Sequence, residues 1–188
     1  MRVLVISDTH YENEIMLDIV NRYKGKVDLM VHCGDHSLPL DDPLLDDFDV
    51  VVKGNHDWDD FPKYVVKDKM FITHGHFFDI YHGFNKVLEK AKENDCRIIL
   101  FGHTHIPYHT VIDGIHIINP GAVLINRGPY GYGTYVILEY DDTNVTVHYY
   151  HHTEHYECSK EVLEAGKETM KEIAELVKKI DEKMKKNF

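Results

Sequence analysis

The chain has 188 residues, enough for one domain that buries roughly 70% of the surface its unfolded form exposes; its formal net charge is -11, from 32 Asp and Glu against 21 Lys and Arg. Such acidity disfavours non-specific binding to duplex nucleic acid, which needs clustered cations, and no apolar run approaches the ~20 residues of a membrane helix. Cys33, Cys96 and Cys158 are odd in number, widely spaced and without a CxxC, which argues against a disulfide framework or a zinc finger and for a reducing cytoplasm. The opening run MRVLVIS meets charge too soon for a signal peptide, so a soluble cytoplasmic protein is expected.

Val3 to Ile6 is the first apolar run. A helical pattern through Ile15, Leu17, Ile19 and Val20 follows, then a second run at Leu29 to Val31. DVVVK and MFIT continue the series, and the helical pattern FNKVLEKAKEND separates MFIT from RIILF. Strands alternating with helices imply crossover connections and a largely parallel, buried sheet. From Tyr108 the pattern changes. YHTVID and IHIIN are joined by Asp113-Gly114, a strong hairpin signal, and GTYVILEYDDTNVTVHYYHH reads as two strands about a turn at Asp141 to Asn144. These later strands are expected to be antiparallel, which makes the fold class α/β with a mixed β-sheet sandwich flanked by helices. Residues 1–158 form the main domain.

Residues 159–188 read as a C-terminal amphipathic helix, with Ser159 as candidate cap, Glu161 and Glu164 early and lysines late. Leu163, Gly166, Met170, Ile173, Val177, Ile180 and Met184 repeat at spacings of three and four, a seam that needs a partner surface. Docking on its own domain is the first expectation, and helix pairing between subunits the second.

Histidine, at 15 residues, is the compositional outlier, and its positions carry more than its number. Five apolar runs end in potential ligands: Asp8-Thr9-His10, Gly34-Asp35-His36, Gly54-Asn55-His56-Asp57, His74-Gly75-His76 and Gly102-His103-Thr104-His105. In open α/β sheets, ligands gather beyond the carboxyl ends of the strands. Two divalent ions that hold a phosphate need oxygen and imidazole donors and a carboxylate to bridge them at about 3.5–4 Å. Asp8 and His10, two apart in an extended segment, are expected to point the same way, as are His103 and His105. Gly102 is expected to permit a tight backbone turn.

The order of these motifs, D-x-H, G-D, G-N-H-D, His74 and G-H-x-H, resembles the calcineurin-like metallophosphoesterase superfamily, in particular its small single-domain bacterial and archaeal phosphodiesterases. The motifs span Asp8 to His105, and INPGAV extends the likeness to Val123. The resemblance implies a four-layer αββα fold and two divalent transition-metal ions. Asp8, His10 and His105 would hold one ion, Asn55, His74 and His103 the other, and Asp35 would bridge them. It also implies His56 as a catalytic residue, with Asp57 beside it to orient the imidazole.

The implied reaction is hydrolysis of small phosphodiesters by direct attack of a hydroxide held between the metals, with no covalent enzyme intermediate. Manganese is the first expectation, with nickel, iron, cobalt and zinc as alternatives, and a homodimer fits the family. Within catalysis the alternative is a phosphomonoesterase or protein phosphatase. Outside it, the alternative is a protein-binding scaffold, which an intact ligand set together with His56 disfavours.

Other residues have blander readings. His36 and His76 match no ligand position and are expected to line the pocket or support it. In HYYHHTEHYEC the imidazoles alternate between strand faces and are not expected to form one site. Cys33 reads as a small hydrophobe. Arg127 reads as a solvated loop cation rather than a phosphate partner. Ala122 stands where related sequences often carry serine, a change expected to leave the metals untouched.

Overall fold

Period-two alternation sorts the strand residues into inward and outward sets, and three apolar layers result. The computed structural model describes residues 1–186, so residues 187 and 188 of the expected C-terminal segment lie outside the described part. One sheet has the order β10-β9-β1-β2-β3, built from β1 (Arg2–Ile6), β2 (Leu29–His32), β3 (Val50–Val51), β9 (Thr134–Tyr140) and β10 (Val145–His151). The other has the order β4-β5-β6-β8-β7, from β4 (Tyr64–Lys67), β5 (Met70–Thr73), β6 (Ile98–Leu100), β7 (Pro107–Ile112) and β8 (Ile115–Pro120).

Val3, Val5, Val31, Ile72, Leu100, Ile118 and Val136 face inward and fill the space between the sheets. Leu4, Ile6 and Ile137 face outward onto Met16, Ile19 and Val20 of α1 (Asn13–Tyr23). Phe71, Ile99 and Ile117 face the opposite way onto Val87, Leu88 and Ala91 of α2 (Asn85–Glu93). Helix, sheet, sheet, helix is the expected four-layer sandwich. Each fully buried Val, Leu or Ile contributes roughly 1.5–3 kcal/mol, so the layers hold the strand ends, and the loops leaving them, in fixed relation.

The later hairpins β7–β8 and β9–β10 are antiparallel as expected, and two strand features lay beyond the sequence reading. β4 was not anticipated because its exposure alternates at a sheet edge without a strong apolar run. β8 is antiparallel to β7 but parallel to β6; the Asp113-Gly114 hairpin reverses the chain a second time, so β8 returns in the direction of β6.

α3 (Ser159–Lys186) closes the described chain. Ser159 does not cap it in the expected way: its Oγ accepts from Tyr149 N at 2.9 Å and donates to Glu157 Oε1 at 3.0 Å, fastening the helix start to β10. Val162 is fully buried in the inter-sheet layer and Leu163 packs against it. Gly166 lies so close to β7 that a Cβ there would sit 1.9 Å from Pro107 O. Leu176, Ile180 and Met184, farther along, are 57%, 47% and 54% exposed.

Candidate metal centre

All five histidine-bearing loops leave the same end of the two sheets. The parallel core strands β1, β2, β5 and β6 run together to that edge, and their loops bring one ligand atom each from Asp8, His10, Asp35 and His105 within 4.8 Å of one another. Asp8, Asp35 and His105 are buried and His10 half-buried.

The manner of convergence differs from the expectation. Asp8, His10, Asp35, His103 and His105 all adopt left-handed backbone, with φ of 55°, 45°, 57°, 66° and 60°, so tight turns rather than strand pleat aim them inward. Non-glycine residues held there cost of order 1 kcal/mol or more each and cluster at functional sites. Gly102 is not among the left-handed residues; its lack of a side chain gives clearance, since a Cβ there would lie 2.0 Å from Ser7 Oγ and 2.7 Å from Asp8 Oδ2.

Tautomers can be read from the hydrogen bonds. His105 Nδ1–H donates to Ile125 O at 2.8 Å, which leaves the Nε2 lone pair 3.1 Å from Asp8 Oδ1, an oxygen with no hydrogen-bond donor of its own. His74 Nδ1–H donates to Cys33 O at 2.7 Å. Its Nε2 faces Asn55 Oδ1 at 3.2 Å, Asp35 Oδ2 at 3.4 Å and Asp8 Oδ1 at 3.9 Å. His10 Nε2 lies 3.5 Å from His105 Nε2 and 3.9 Å from Asp35 Oδ2. His74 and His105 therefore turn their Nε2 edges toward the carboxylate oxygens of Asp8 and Asp35, a buried set of inward ligand atoms that a cation between them would satisfy. The residues fit divalent metals: hard carboxylate and amide oxygens with neutral imidazoles.

The buried carboxylates and imidazoles also shift one another's charge. Burial opposes ionisation of Asp8, but His74 and His105 more than offset it and lower its pKa. Asp35 is lowered likewise against its burial, chiefly by His74. Burial pulls His74 and His105 down, and the facing carboxylates outweigh it and raise both. His103, whose ring is 5.2 Å from that of His74, is held at about 4 by burial and by His74. Its backbone N–H donates to Asp8 Oδ2 at 3.2 Å.

Asn55 and His56 are exposed at the mouth of the site. The His56 ring lies 5.2 Å from that of His10, and its backbone N–H donates to Asp35 Oδ1 at 2.8 Å. Asp57 is a correction. Its buried carboxylate accepts from the backbone amides of Asp35, Ser37 and Gly54 at 2.8, 2.7 and 2.7 Å and so holds the loops rather than the His56 ring. His36, fully buried, sets its Nε2 3.4 Å from Asp57 Oδ2, while the His76 ring is 5.4 Å from that of His74.

Two supporting residues escaped the sequence reading. Ser7 donates to Asp8 Oδ2 at 2.6 Å. His32 accepts from Gly34 N at 3.1 Å through Nδ1, so its Nε2–H donates to Thr9 Oγ1 at 3.1 Å and ties the first two loops together. A histidine inside the apolar run DLMVHC was the available signal. The downstream histidines disperse: His148 meets Glu157, His152 meets Val123 O and His155 meets Asp18.

The model of the calcineurin-like phosphoesterase superfamily domain matches residues 1–143. The probable metallophosphoesterase YsnB of Bacillus subtilis is 37% identical over 155 residues, covering 80% of this chain and 90% of that protein. The phosphodiesterase MJ0936 of Methanocaldococcus jannaschii is 27% identical over 148 residues, 64% of this chain and 83% of the relative. A predicted phosphoesterase of Streptococcus pneumoniae superposes with a TM-score of 0.78 at 34% identity, covering 84% of this chain and 92% of the other. Vps29 of Entamoeba histolytica complexed with zinc, at 22% identity and a TM-score of 0.66 over 84% of this chain and 96% of its own, shares the fold. With its motifs, its four layers and these relatives in agreement, the chain belongs to the calcineurin-like phosphoesterase superfamily.

Proposed function

We propose that the protein is a dinuclear-metal phosphodiesterase acting on small phosphodiesters. The observation that carries this reading is the inward set of Asp8, His10, Asp35 and His105, whose ligand atoms lie within 4.8 Å of one another. In the proposed arrangement Asp8, His10 and His105 would hold one ion, Asn55, His74 and His103 would hold the second, and Asp35 would serve both. Manganese is the first choice for this mixture of oxygen and imidazole donors, and nickel, iron, cobalt and zinc suit it too.

When bound, the metals supply Lewis-acid charge for the phosphoryl oxygens and lower the pKa of water at the site. The chain does the rest. Asp57 and His32 keep the loops in register, the second ring nitrogens of His74 and His105 fix ligand orientation through backbone carbonyls, and His56 at the mouth donates a proton toward the leaving oxygen, typically worth roughly 10²–10⁴-fold.

Hydrolysis of bis-p-nitrophenyl phosphate by chelator-stripped protein, before and after manganese is restored, tests the reading. Turnover is expected only with metal, to exceed that of the monoester, and to fall at least a hundredfold in His56→Ala, in line with general acid catalysis. Metal-independent turnover, or none in protein shown to hold two ions, would sink it.

A further inference from the structure

The loop after Asn119-Pro120-Gly121 brings a cation to the site that the ligand set does not use. Arg127 Nη1 donates to Tyr81 OH at 2.6 Å, and that hydroxyl donates to His103 O at 3.3 Å. The Tyr81 ring stands 5.1 Å from the His103 ring. From the other side, the Arg127 backbone N–H donates to His105 O at 3.3 Å. One exposed arginine is thus fastened to both histidines of the G-H-x-H loop.

Its surroundings sharpen the point. In a chain with 32 acidic residues, Arg127 forms no ion pair among the described residues. Glu168 and Glu172 of α3 line the recess beside it without closing on it. A solvated loop arginine gains nothing from being tethered, since ordering a long side chain costs it rotamer freedom. A guanidinium held on one edge keeps its remaining N–H groups in a planar fork, the geometry that matches phosphoryl oxygens.

Building on the phosphoesterase reading, we propose that Arg127, positioned by Tyr81, anchors a non-bridging phosphoryl oxygen of the substrate and sets the balance between singly and doubly charged phosphoesters. Coulomb energy is linear in ligand charge. A fixed positive charge therefore favours a dianion over a monoanion, and its loss costs the dianion the square of the factor it costs the monoanion.

The test is calorimetric titration of the metal-loaded protein, above neutral pH, with inorganic phosphate and with dimethyl phosphate, run alongside turnover of p-nitrophenyl phosphate and bis-p-nitrophenyl phosphate. Arg127→Ala is expected to weaken dimethyl phosphate about tenfold and inorganic phosphate about a hundredfold, the order a unit charge a few ångströms away supplies near a surface. The two esters should lose kcat/KM by the same pair of factors, through KM, with metal content unchanged. Tyr81→Phe, which frees the guanidinium without removing it, should fall between wild type and Arg127→Ala.

Equal losses for both ligands overturn the proposal, as does failure of wild type to bind inorganic phosphate. So does a lowered melting temperature with unchanged affinities, the result if Arg127 only braces Glu168 or Glu172. Should wild type turn over neither ester, the phosphodiesterase reading fails by itself, and the phosphate titration still decides the role of Arg127.

Discussion

Three backbone amides converge on Asp57, from Asp35, Ser37 and Gly54, and these belong to the two loops that deliver Asp35 and Asn55. Removing the carboxylate orphans buried donors that each cost about 1–3 kcal/mol. Asp57→Ala is accordingly expected to lose roughly 3 kcal/mol of stability or more and to bind metal about 10–100-fold more weakly, the usual cost of losing a ligand's support. Asp57→Asn, which keeps one acceptor oxygen, should recover part of both. Denaturation and metal titration of the two variants check this, and wild-type metal affinity in Asp57→Ala would refute it. At Gly102 the constraint is steric. A methyl group would meet Ser7 Oγ and Asp8 Oδ2, so Gly102→Ala should cost about 1–3 kcal/mol, as overpacking does, and displace Asp8; unchanged melting and metal binding would show that the loop yields freely.

Across β7 and β8, His109 Nε2 and His116 Nδ1 lie 3.1 Å apart with stacked rings. Burial, and then the His116 charge, hold His109 at about 4, against an ordinary 6.5. The unfolded chain therefore takes up this proton first as pH falls, and stability present above 6.5 is lost on the way to 4. His109→Gln should flatten the slope of melting temperature against pH in that window; an unchanged slope would place the acid sensitivity elsewhere.

The same hairpin marks where the sequence was legible. Asp113-Gly114 announced the turn because only a few residue types tolerate its dihedral angles. The pairing of β8 with β6, however, depends on a chain reversal that no local pattern encodes. Buried strands such as β1 and β6 were readable from their apolar runs, while β4 was not, because an edge strand with alternating exposure leaves a weak signal. The ligand positions were readable because their types and order are unusual. Their left-handed backbone, the loop-spanning His32 and the Tyr81 tether were not, since each depends on neighbours distant in sequence.

A net charge of -11 surrounds the centre, so on the proposed function the attraction for phosphate anions has to be local, from metals held there and from Arg127, rather than from the molecule's overall field. The remaining question about the whole molecule is the outer half of α3. Its first turns are part of the domain: Val162 is fully buried and Gly166 abuts β7. Cutting the chain at Ser159 would remove these turns, with Val162 by itself worth roughly 1.5–3 kcal/mol, and so confuse folding with assembly. A chain ending after Ala174 avoids this: it removes Leu176, Ile180 and Met184, all exposed, and the surface ion pair of Asp181 with His82, while Val162 and Gly166 stay in place. If two copies pair through this seam, the shortened chain and a full-length Leu176→Glu/Ile180→Glu variant should both elute as folded monomers in gel filtration and the full-length wild type as a dimer, whose melting temperature rises with its concentration. Identical elution of all three would remove helix pairing as the basis of a homodimer.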